Sequence, residues 1–228
     1  MRNTTPVAVI TDYDPRGGRS SYSGSSAIAG LTVNSDLSSA PAREPATLKR
    51  NPETVPGMRG FYIGRFQPFH NGHRNMVEQI ADDVDELVLG IGSADDSHSV
   101  RNPFTAGERI MMITKSLVDT DVVTYAVPIE DLERNSVWVS HVQSMSPDFD
   151  VAYSNNPLVV QLFREADFEV HQSPMFNREV LEGTEVRERM INDGDWESLV
   201  PEAVVEVVEE INGIERIQMV SGSDTNGD

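Results

Sequence analysis

The sequence has no cysteine among its 228 residues, which excludes disulfide bonds and thiolate metal sites. It also lacks long apolar runs: none approaches the roughly 18 residues that a helix needs to cross a bilayer. The N-terminal apolar patches, 6–10 and 27–33, are shorter than the apolar core of a typical signal peptide. We therefore expect a cytoplasmic protein with no membrane partner, and its 38% apolar residues suffice for a sizeable core.

Lysine is scarce as well, and Lys115 is the only one after residue 57. Residues 1–57 hold six basic and five acidic side chains of the totals of 18 and 37, which leaves 12 and 32, a formal charge of −20, for residues 58–228. Dense carboxylates of this kind are typical of proteins from salt-loving cytoplasms and indicate a halophilic source, with an ordinary acidic protein as the alternative. No nucleic-acid partner is expected, because nonspecific binding depends on neutralising phosphates.

Residues 1–57 differ in composition from the rest of the chain. The stretch 20–39 is rich in Ser, Gly and Ala, and four prolines between 41 and 56 interrupt any regular element after it. These features predict a disordered leader. Met58 offers a second interpretation, in which translation starts at that methionine and the preceding residues are a misplaced start.

From Met58 onward, short apolar runs alternate with amphipathic segments. Parallel strands joined by helical crossovers give this alternation, and ligands then bind beyond the C-terminal strand ends. We predict an α/β fold, a Rossmann-like, doubly wound, parallel five-stranded sheet in a single domain, 58–220, followed by a frayed tail, 221–228. The predicted strands are 59–63, 86–91, 122–127, 149–153 and 168–171, and the predicted helices are 72–83, 105–118, 135–145, 157–165, 183–191 and 201–211.

One loop is the most informative part of the chain: between the first strand and the first helix, residues 64–73 read GRFQPFHNGH. The helix start aims free N–H groups and a partial positive charge at whatever lies above the strand end. His70 and His73 point the same way, and imidazole N–H groups can donate to phosphate oxygens. A zinc site is disfavoured because no third ligand stands at a typical spacing, and two surface histidines at a helix cap are the structural alternative. We therefore predict a polyphosphate site.

Two short motifs link this loop to a known superfamily. HNGH at 70–73 resembles the HxGH signature of the nucleotidyltransferases, and GTEVR at 183–187 resembles their second motif, a Ser or Thr followed by Arg at a helix start. NPFTAGER at 102–109, WVS at 138–140, SNNPLV at 154–159 and FNR at 176–178 lie between them. In this order and spacing, the blocks resemble the archaeal nicotinamide-nucleotide adenylyltransferases over a range from Met58 to about Val220.

The resemblance implies transfer of AMP from ATP to nicotinamide mononucleotide (NMN), giving NAD and pyrophosphate. It implies Mg²⁺ bound with ATP, few or no protein ligands to the metal, and a homo-oligomer, often a hexamer in archaeal relatives. The implied catalytic residues are His70, His73 and Arg187. The implied nucleotide-binding residues are Gly64, Arg65, Phe66, Arg101, Asn135, Trp138, Thr184 and again Arg187.

Several of these roles have alternatives. Trp138 is expected to stack on the nicotinamide ring, with Asn135 bonding the carboxamide, but a Trp on an amphipathic helix is more commonly a core residue. Glu108 and Arg109 are predicted to form a capping and salt-bridge pair rather than to act in catalysis. Arg178 is a weaker candidate for nucleotide binding.

Three positions depart from the family pattern. Asn155 stands where the family usually has Gly, while Leu181 and Glu182 replace a Tyr-Ser pair, which puts a serine hydroxyl contact with phosphate in doubt.

Two other functions stay open on the sequence alone. One is a related nucleotidyltransferase with another acceptor, such as phosphopantetheine or FMN, or with a cytidylyl donor. The other is a non-catalytic nucleotide sensor.

Overall fold

A parallel five-stranded sheet forms the centre of the described residues, 57–172 and 183–224, in this computed structural model. Seven α-helices and two short 3₁₀ turns accompany it there. No helix in this part of the chain has the length and apolarity to cross a membrane. The strands are β1 (Arg59–Gly64), β2 (Glu86–Ile91), β3 (Val123–Pro128), β4 (Val151–Tyr153) and β5 (Glu169–His171). The helices are α1 (Asn71–Ala81), α2 (Ala106–Ser116), α3 (Trp138–Met145), α4 (Pro157–Glu165), α5 (Gly183–Ile191), α6 (Glu202–Glu210) and α7 (Gly213–Asp224).

The strand order is β3-β2-β1-β4-β5, and every neighbouring pair is parallel. The chain runs outward from β1 through β2 to β3, then returns to the other side of β1 for β4 and β5. The direction of winding therefore reverses between β1 and β4, and a crevice opens beyond the carboxyl ends of strands at such a reversal. The predicted doubly wound fold is confirmed, and the loop after β1 lies at the reversal.

Two apolar clusters cover the two faces of the sheet. On one face, Leu87, Leu89 and Ile91 of β2 pack with side chains of α1, α2, α5, α6 and α7. On the other face, Val88 packs with Phe61 of β1 and with α3 and α4. Side chains alternate between faces along a strand, and β2 is buried on both, which is why ELVLGI reads as one continuous apolar run.

Local signals place most helix ends correctly. Thr105 caps α2, accepting from the Glu108 amide, while the Glu108 carboxylate accepts from the Thr105 amide, as the predicted capping box requires. Asn156 caps α4 through the Leu158 amide. The backbone at Asn155 does not adopt a positive φ, so this position does not demand the glycine that the family usually has there.

The structure corrects three parts of the sequence-based assignment. The helix predicted for 135–145 begins with a 3₁₀ turn, Asn135–Val137, and becomes α-helical only at Trp138. The fourth and fifth strands are shorter than predicted, three residues each. Helix α7 has no counterpart in the predicted helices, and it continues to Asp224, four residues into the stretch predicted as a frayed tail. Ile217 of α7 is buried and packs in the core of the first face. The weak amphipathic pattern of α7 does not predict this tertiary contact.

The predicted leader 1–57 lies outside the described residues except for its last glycine. The FNR block at 176–178 lies outside them too, as do Leu181 and Glu182. The interpretations given for these residues stay predictions.

Candidate active site

Buried polar side chains concentrate at one place in the described structure. Eight polar or charged residues are buried in the part of the chain that the structure describes, against the usual preference of such groups for solvent. Six of the eight surround the loop that follows β1 and are connected through hydrogen bonds or through the field of a neighbouring charge. They are Gln67, His70, Ser93, Asn102, Arg109 and Arg187.

The loop after β1 makes a tight turn whose geometry depends on its glycine. Phe66 has a φ of 50°, in the left-handed region that is costly for a bulky residue. A Cβ placed on Gly64 would come within 2.9 Å of the Phe66 ring, so glycine allows the ring to fold back over the strand end. The ring is 1% exposed and contacts Tyr62 and Phe69. The side chain is therefore shielded from solvent, and the predicted role of Phe66 in nucleotide binding stays a prediction.

The two histidines cap α1 reciprocally. His70 is the N-cap residue, and its Nδ1 accepts a hydrogen bond from the His73 amide at 3.3 Å. In return, the Nδ1 of His73 accepts from the His70 amide at 3.2 Å. The two rings stack with centroids 3.6 Å apart. Because both Nδ1 atoms accept, each neutral ring carries its proton on Nε2, and both Nε2–H groups are donors for a ligand.

The surroundings of the histidines keep them neutral. Burial, and secondly the neighbouring positive charge of Arg187, together lower the pKa of His70 to about 4. Burial also holds the pKa of His73 well below its usual value, with His70 as the next cause. At neutral pH both rings are therefore uncharged donors, and a proton added to either Nδ1 would break the helix cap.

Helix α5 brings the second motif to the first. The Nη1 of Arg187 donates to the Gln67 carbonyl at 2.8 Å, across 120 residues of sequence, and its Nη2 donates to the Thr184 hydroxyl at 3.2 Å. Gly183 permits this approach, since a Cβ there would lie 3.2 Å from the Arg187 Nη1. The structure thus joins the two predicted halves of the site, with Thr184 in the first turn of α5.

Three guanidinium groups converge beside the histidines, and we call Arg65, Arg101 and Arg187 the cationic cluster. Burial lowers the pKa of Arg187 to about 10, and the charges of the other two contribute. Burial and Arg101 likewise lower the pKa of Arg65. Cations this close repel one another in a chain of net charge −19, and a polyanion bound among them would relieve that repulsion.

Asn135 begins the 3₁₀ turn that precedes α3, and Trp138 is the first residue of that helix. Trp138 is partly buried and stands edge-on to Phe163, with ring centroids 5.5 Å apart and planes at 72°. Asn135 is exposed at the beginning of the 3₁₀ turn. The indole therefore packs on the core along one edge, while part of its surface remains accessible. Its predicted contact with the acceptor base stays a prediction.

The predicted ion pair between Glu108 and Arg109 is wrong. Glu108 instead pairs with Arg216 of α7 in a bidentate arrangement, with distances of 2.7 and 2.8 Å. The Arg109 side chain leaves α2 on a different side from Glu108 and donates to the backbone carbonyls of residues 65, 92 and 93. Neighbours one residue apart on a helix face different directions, which is why the two side chains do not meet.

Two side chains that hold the loops of the site together, Gln67 and Asn102, are not among the residues predicted from the sequence. Gln67 donates to and accepts from the Phe104 backbone, at 2.9 and 3.0 Å, and so ties the loop after β1 to the loop before α2. Asn102 accepts from Arg65 at 3.4 Å and donates to Asp96 at 2.7 Å. Each precedes a proline in the sequence, but this pattern is too common to have singled them out.

Within the described residues, no group of three or more His, Asp or Glu side chains is arranged to hold a metal ion. The donors that do converge are imidazole and guanidinium N–H groups, which bind anions and not cations. These residues fit a metal only where phosphate oxygens hold it, with most of its coordination from the nucleotide and water.

Comparison with known proteins agrees with this geometry. A family model described as cytidylyltransferase-like matches residues 61–189. The nicotinamide-nucleotide adenylyltransferase of Halorubrum lacusprofundi is 71% identical over 170 residues, 75% of this chain and 97% of that protein. That of Halobacterium salinarum is 72% identical over 169 residues, 74% of this chain and 96% of that protein. That of Methanolobus tindarius is 58% identical over 166 residues, 73% of this chain and 96% of that protein.

A solved structure has a similar fold. It is a bifunctional NMN adenylyltransferase/ADP ribose pyrophosphatase from Francisella tularensis, complexed with AMP and a manganese ion, with a TM-score of 0.59. It is 17% identical and covers 73% of this chain and 53% of that chain, so it supports the fold alone.

The fold, the paired histidines and the family model define a cytidylyltransferase-like nucleotidyltransferase. The high identity over nearly the whole length of the relatives is more specific. The chain belongs to the nicotinamide-nucleotide adenylyltransferase family. The family resemblance drawn from the sequence is thereby confirmed. Two of these relatives come from halophilic archaea, in line with the acidic composition.

Proposed function

We propose that the protein transfers AMP from ATP to NMN and releases pyrophosphate. The observation that carries this proposal is the convergence of the cationic cluster with two uncharged imidazole donors at the winding reversal of the sheet. This arrangement matches a substrate that brings several phosphate groups to one place. The close relatives are named for this activity.

The reaction requires few proton transfers. A phosphate oxygen of NMN attacks the α-phosphorus of ATP, a new P–O bond forms, and the bond from that phosphorus to the bridging oxygen of pyrophosphate breaks. The attacking phosphate has a second pKa of about 6 and is largely a dianion at neutral pH, so no general base is needed. The protein's task is to align two anions and to stabilise the charge that builds on the leaving group.

The site residues divide this task. His73 and His70 donate their Nε2–H groups to ATP phosphate oxygens, with His73 beside the α-phosphate. Arg65, Arg101 and Arg187 bind the remaining phosphates, since a guanidinium offers a planar fork of donors. Neutral imidazoles add hydrogen bonds without adding a further mutually repelling charge to the cluster.

Magnesium enters as part of the substrate, bound to the phosphates of ATP. It supplies neutralisation of phosphate charge when bound. The described side chains offer no competing carboxylate cluster, so the metal preference follows from the nucleotide complex. Replacing Mg²⁺ by Mn²⁺ should therefore retain activity, whereas chelation of all divalent cations should abolish it.

A coupled pyrophosphate assay with ATP, Mg²⁺ and NMN tests the activity directly. His73→Asn keeps an acceptor near the Nδ1 position but removes the Nε2 donor, so turnover should fall about 10²- to 10³-fold with the fold retained. Binding of ATP without pyrophosphate release by the wild-type protein would indicate a nucleotide sensor instead. Release with another acceptor in place of NMN would indicate a different transferase.

The acceptor assignment has its own test. Trp138→Ala should raise the KM for NMN about tenfold and leave the KM for ATP nearly unchanged, because the indole contacts only the nicotinamide. Trp138→Phe is the matched control, since it retains an aromatic face and a contact with Phe163. Equal effects on the two substrates would contradict the assignment and indicate that Trp138 only packs in the core.

A further inference from the structure

Arg109 is a buried charged residue that the proposed chemistry does not use. Its side chain is 0% exposed, although it lies on the apolar side of α2 with Met112 and Ile113. Burial lowers its pKa to about 10, so the guanidinium remains charged at neutral pH. Burying a charge costs several kcal/mol unless the protein satisfies its hydrogen bonds. A buried arginine therefore calls for a structural or functional explanation.

The contacts of Arg109 define that task. Its Nη1 donates to the Arg65 carbonyl at 2.8 Å and to the Gly92 carbonyl at 2.7 Å. Its Nη2 donates to the Ser93 carbonyl at 2.9 Å, and its Nε to the Thr105 carbonyl at 3.3 Å. One side chain thus holds three segments, namely the loop after β1, the end of β2 and the start of α2.

All four acceptors of Arg109 are neutral backbone carbonyls. The carboxylates of Asp96, Asp131 and Glu108 act on it only through their electric field. Asp131 bonds Ser93 instead, through both the amide and the hydroxyl of that residue. Arg109 is therefore not one half of an ion pair. Its hydrogen bonds instead hold backbone segments in place.

The segment that Arg109 fixes includes a member of the cationic cluster. Arg65 is held at its carbonyl by Arg109, and its guanidinium donates to Asn102. The carbonyl and the guanidinium of Arg65 are thus both held by contacts within the protein. Pre-organised donors stabilise developing charge better than donors that must first be ordered.

We propose that Arg109 is a positioning residue for the polyphosphate site. Its hydrogen bonds to the loop after β1, the end of β2 and the start of α2 hold these three segments together and thereby fix the position of Arg65. This inference rests on the proposed function for the identity of the ligand. The geometry requires an arginine, because four of its five N–H groups donate to four carbonyls that are spread over three segments. A lysine keeps the charge but has a single nitrogen with three donors, so it cannot span the same carbonyls.

Calorimetric titration with Mg²⁺ and ATP, without acceptor, tests the proposal on the full chain. Arg109→Met and Arg109→Lys should each weaken ATP binding about tenfold. Ile113→Ala is the matched control: it destabilises the same helix by removing a buried side chain and should change ATP affinity less than twofold. Combining either Arg109 variant with Arg65→Ala should cost less than the product of the separate losses, by at least fivefold.

The outcomes distinguish this inference from the proposed function. If wild-type protein releases no pyrophosphate from ATP and NMN, the proposed reaction fails, but the binding measurements still decide the role of Arg109. If Arg109→Lys restores affinity, the residue supplies charge and not position, and the proposal is overturned. Losses equal to those of Ile113→Ala, or full additivity with Arg65→Ala, would also overturn it.

Discussion

The reciprocal cap of α1 makes a prediction that separates two functions of one side chain. In His70, Nδ1 stabilises the helix start and Nε2 carries the donor proposed for phosphate. Asparagine places an acceptor oxygen where Nδ1 lies but does not reach the Nε2 position. Glutamine places an N–H group near Nε2 but removes the acceptor near the backbone. His70→Asn and His70→Gln therefore each retain a different half of the residue.

The expected magnitudes follow from the contacts. Loss of an N-cap acceptor costs about 1 kcal/mol, which in a domain of this size lowers Tm by about 2–4 °C. Both variants lose the ring stacking with His73, so that cost is common to them. We expect His70→Gln to be less stable than His70→Asn by about 1 kcal/mol in chemical denaturation at equal salt.

Activity should rank the two variants in the opposite order. His70→Asn lacks a donor for phosphate, and kcat should fall about 10²- to 10³-fold in the pyrophosphate assay. His70→Gln retains one and should lose about tenfold. If His70→Asn is the less stable of the pair, or the more active, then the hydrogen bonds assigned to Nδ1 and Nε2 are wrong.

The same residue gives stability a pH dependence. The pKa of His70 is about 4 in the folded protein, against 6.5 for an ordinary histidine. The unfolded chain therefore binds more protons at this residue between these values, so the contribution of His70 to stability is complete above pH 6.5 and is lost as the pH drops towards 4. The loss from about pH 7 to pH 5 is about 2 kcal/mol. In molar salt and without nucleotide, wild type should lose about this much more than His70→Asn, and identical slopes would contradict the assignment.

Three further predictions concern other parts of the molecule. Arg216→Met removes the partner of a partly buried carboxylate, Glu108, and should lower the free energy of unfolding by about 1–2 kcal/mol, whereas Arg74→Met, which breaks an exposed pair within α1, should cost less than about 0.5 kcal/mol. Gly183→Ala should lower kcat/KM by crowding the Nη1 of Arg187, which would lie 3.2 Å from the added Cβ, while Gly107→Ala, with no neighbour within 4 Å of the added Cβ, should leave it unchanged. Lowering the salt from about 2 M to 0.1 M should lower Tm, because carboxylate repulsion is then poorly screened, and a Tm independent of salt would contradict the halophilic interpretation.

Local patterns were sufficient for most of the fold. The continuous apolar run of β2, the capping box of Thr105 and Glu108, and the Pro-containing start of α4 all act over a few residues. Such signals depend only on backbone geometry and on neighbouring side chains, so they can be recognised in the sequence without knowledge of the tertiary contacts. The weakly amphipathic α7 has no comparable signal, and it was missed because only its packing on α5 and α6 stabilises it.

The candidate site shows the same division. The two motifs identified the histidines and Arg187, but no spacing rule states that Arg187 bonds the Gln67 carbonyl. An arginine on the apolar stripe of α2 was visible in the sequence, next to Met112 and Ile113, yet it was interpreted as the partner of Glu108. The burial of Arg109 follows from its place beside these apolar side chains, whereas its carbonyl partners lie on distant segments and have no signal in the local sequence.

The sequence by itself determined the alternation of strands and helices, the helix caps, the acidic character and the family. Each of these follows from interactions within a short segment or from composition. Tertiary structure alone decided that Glu108 pairs with Arg216, that Arg109 clamps three backbone segments, and that both histidines are neutral. These outcomes depend on which distant groups meet in a region shielded from water, and burial and long-range contact are properties of the folded chain.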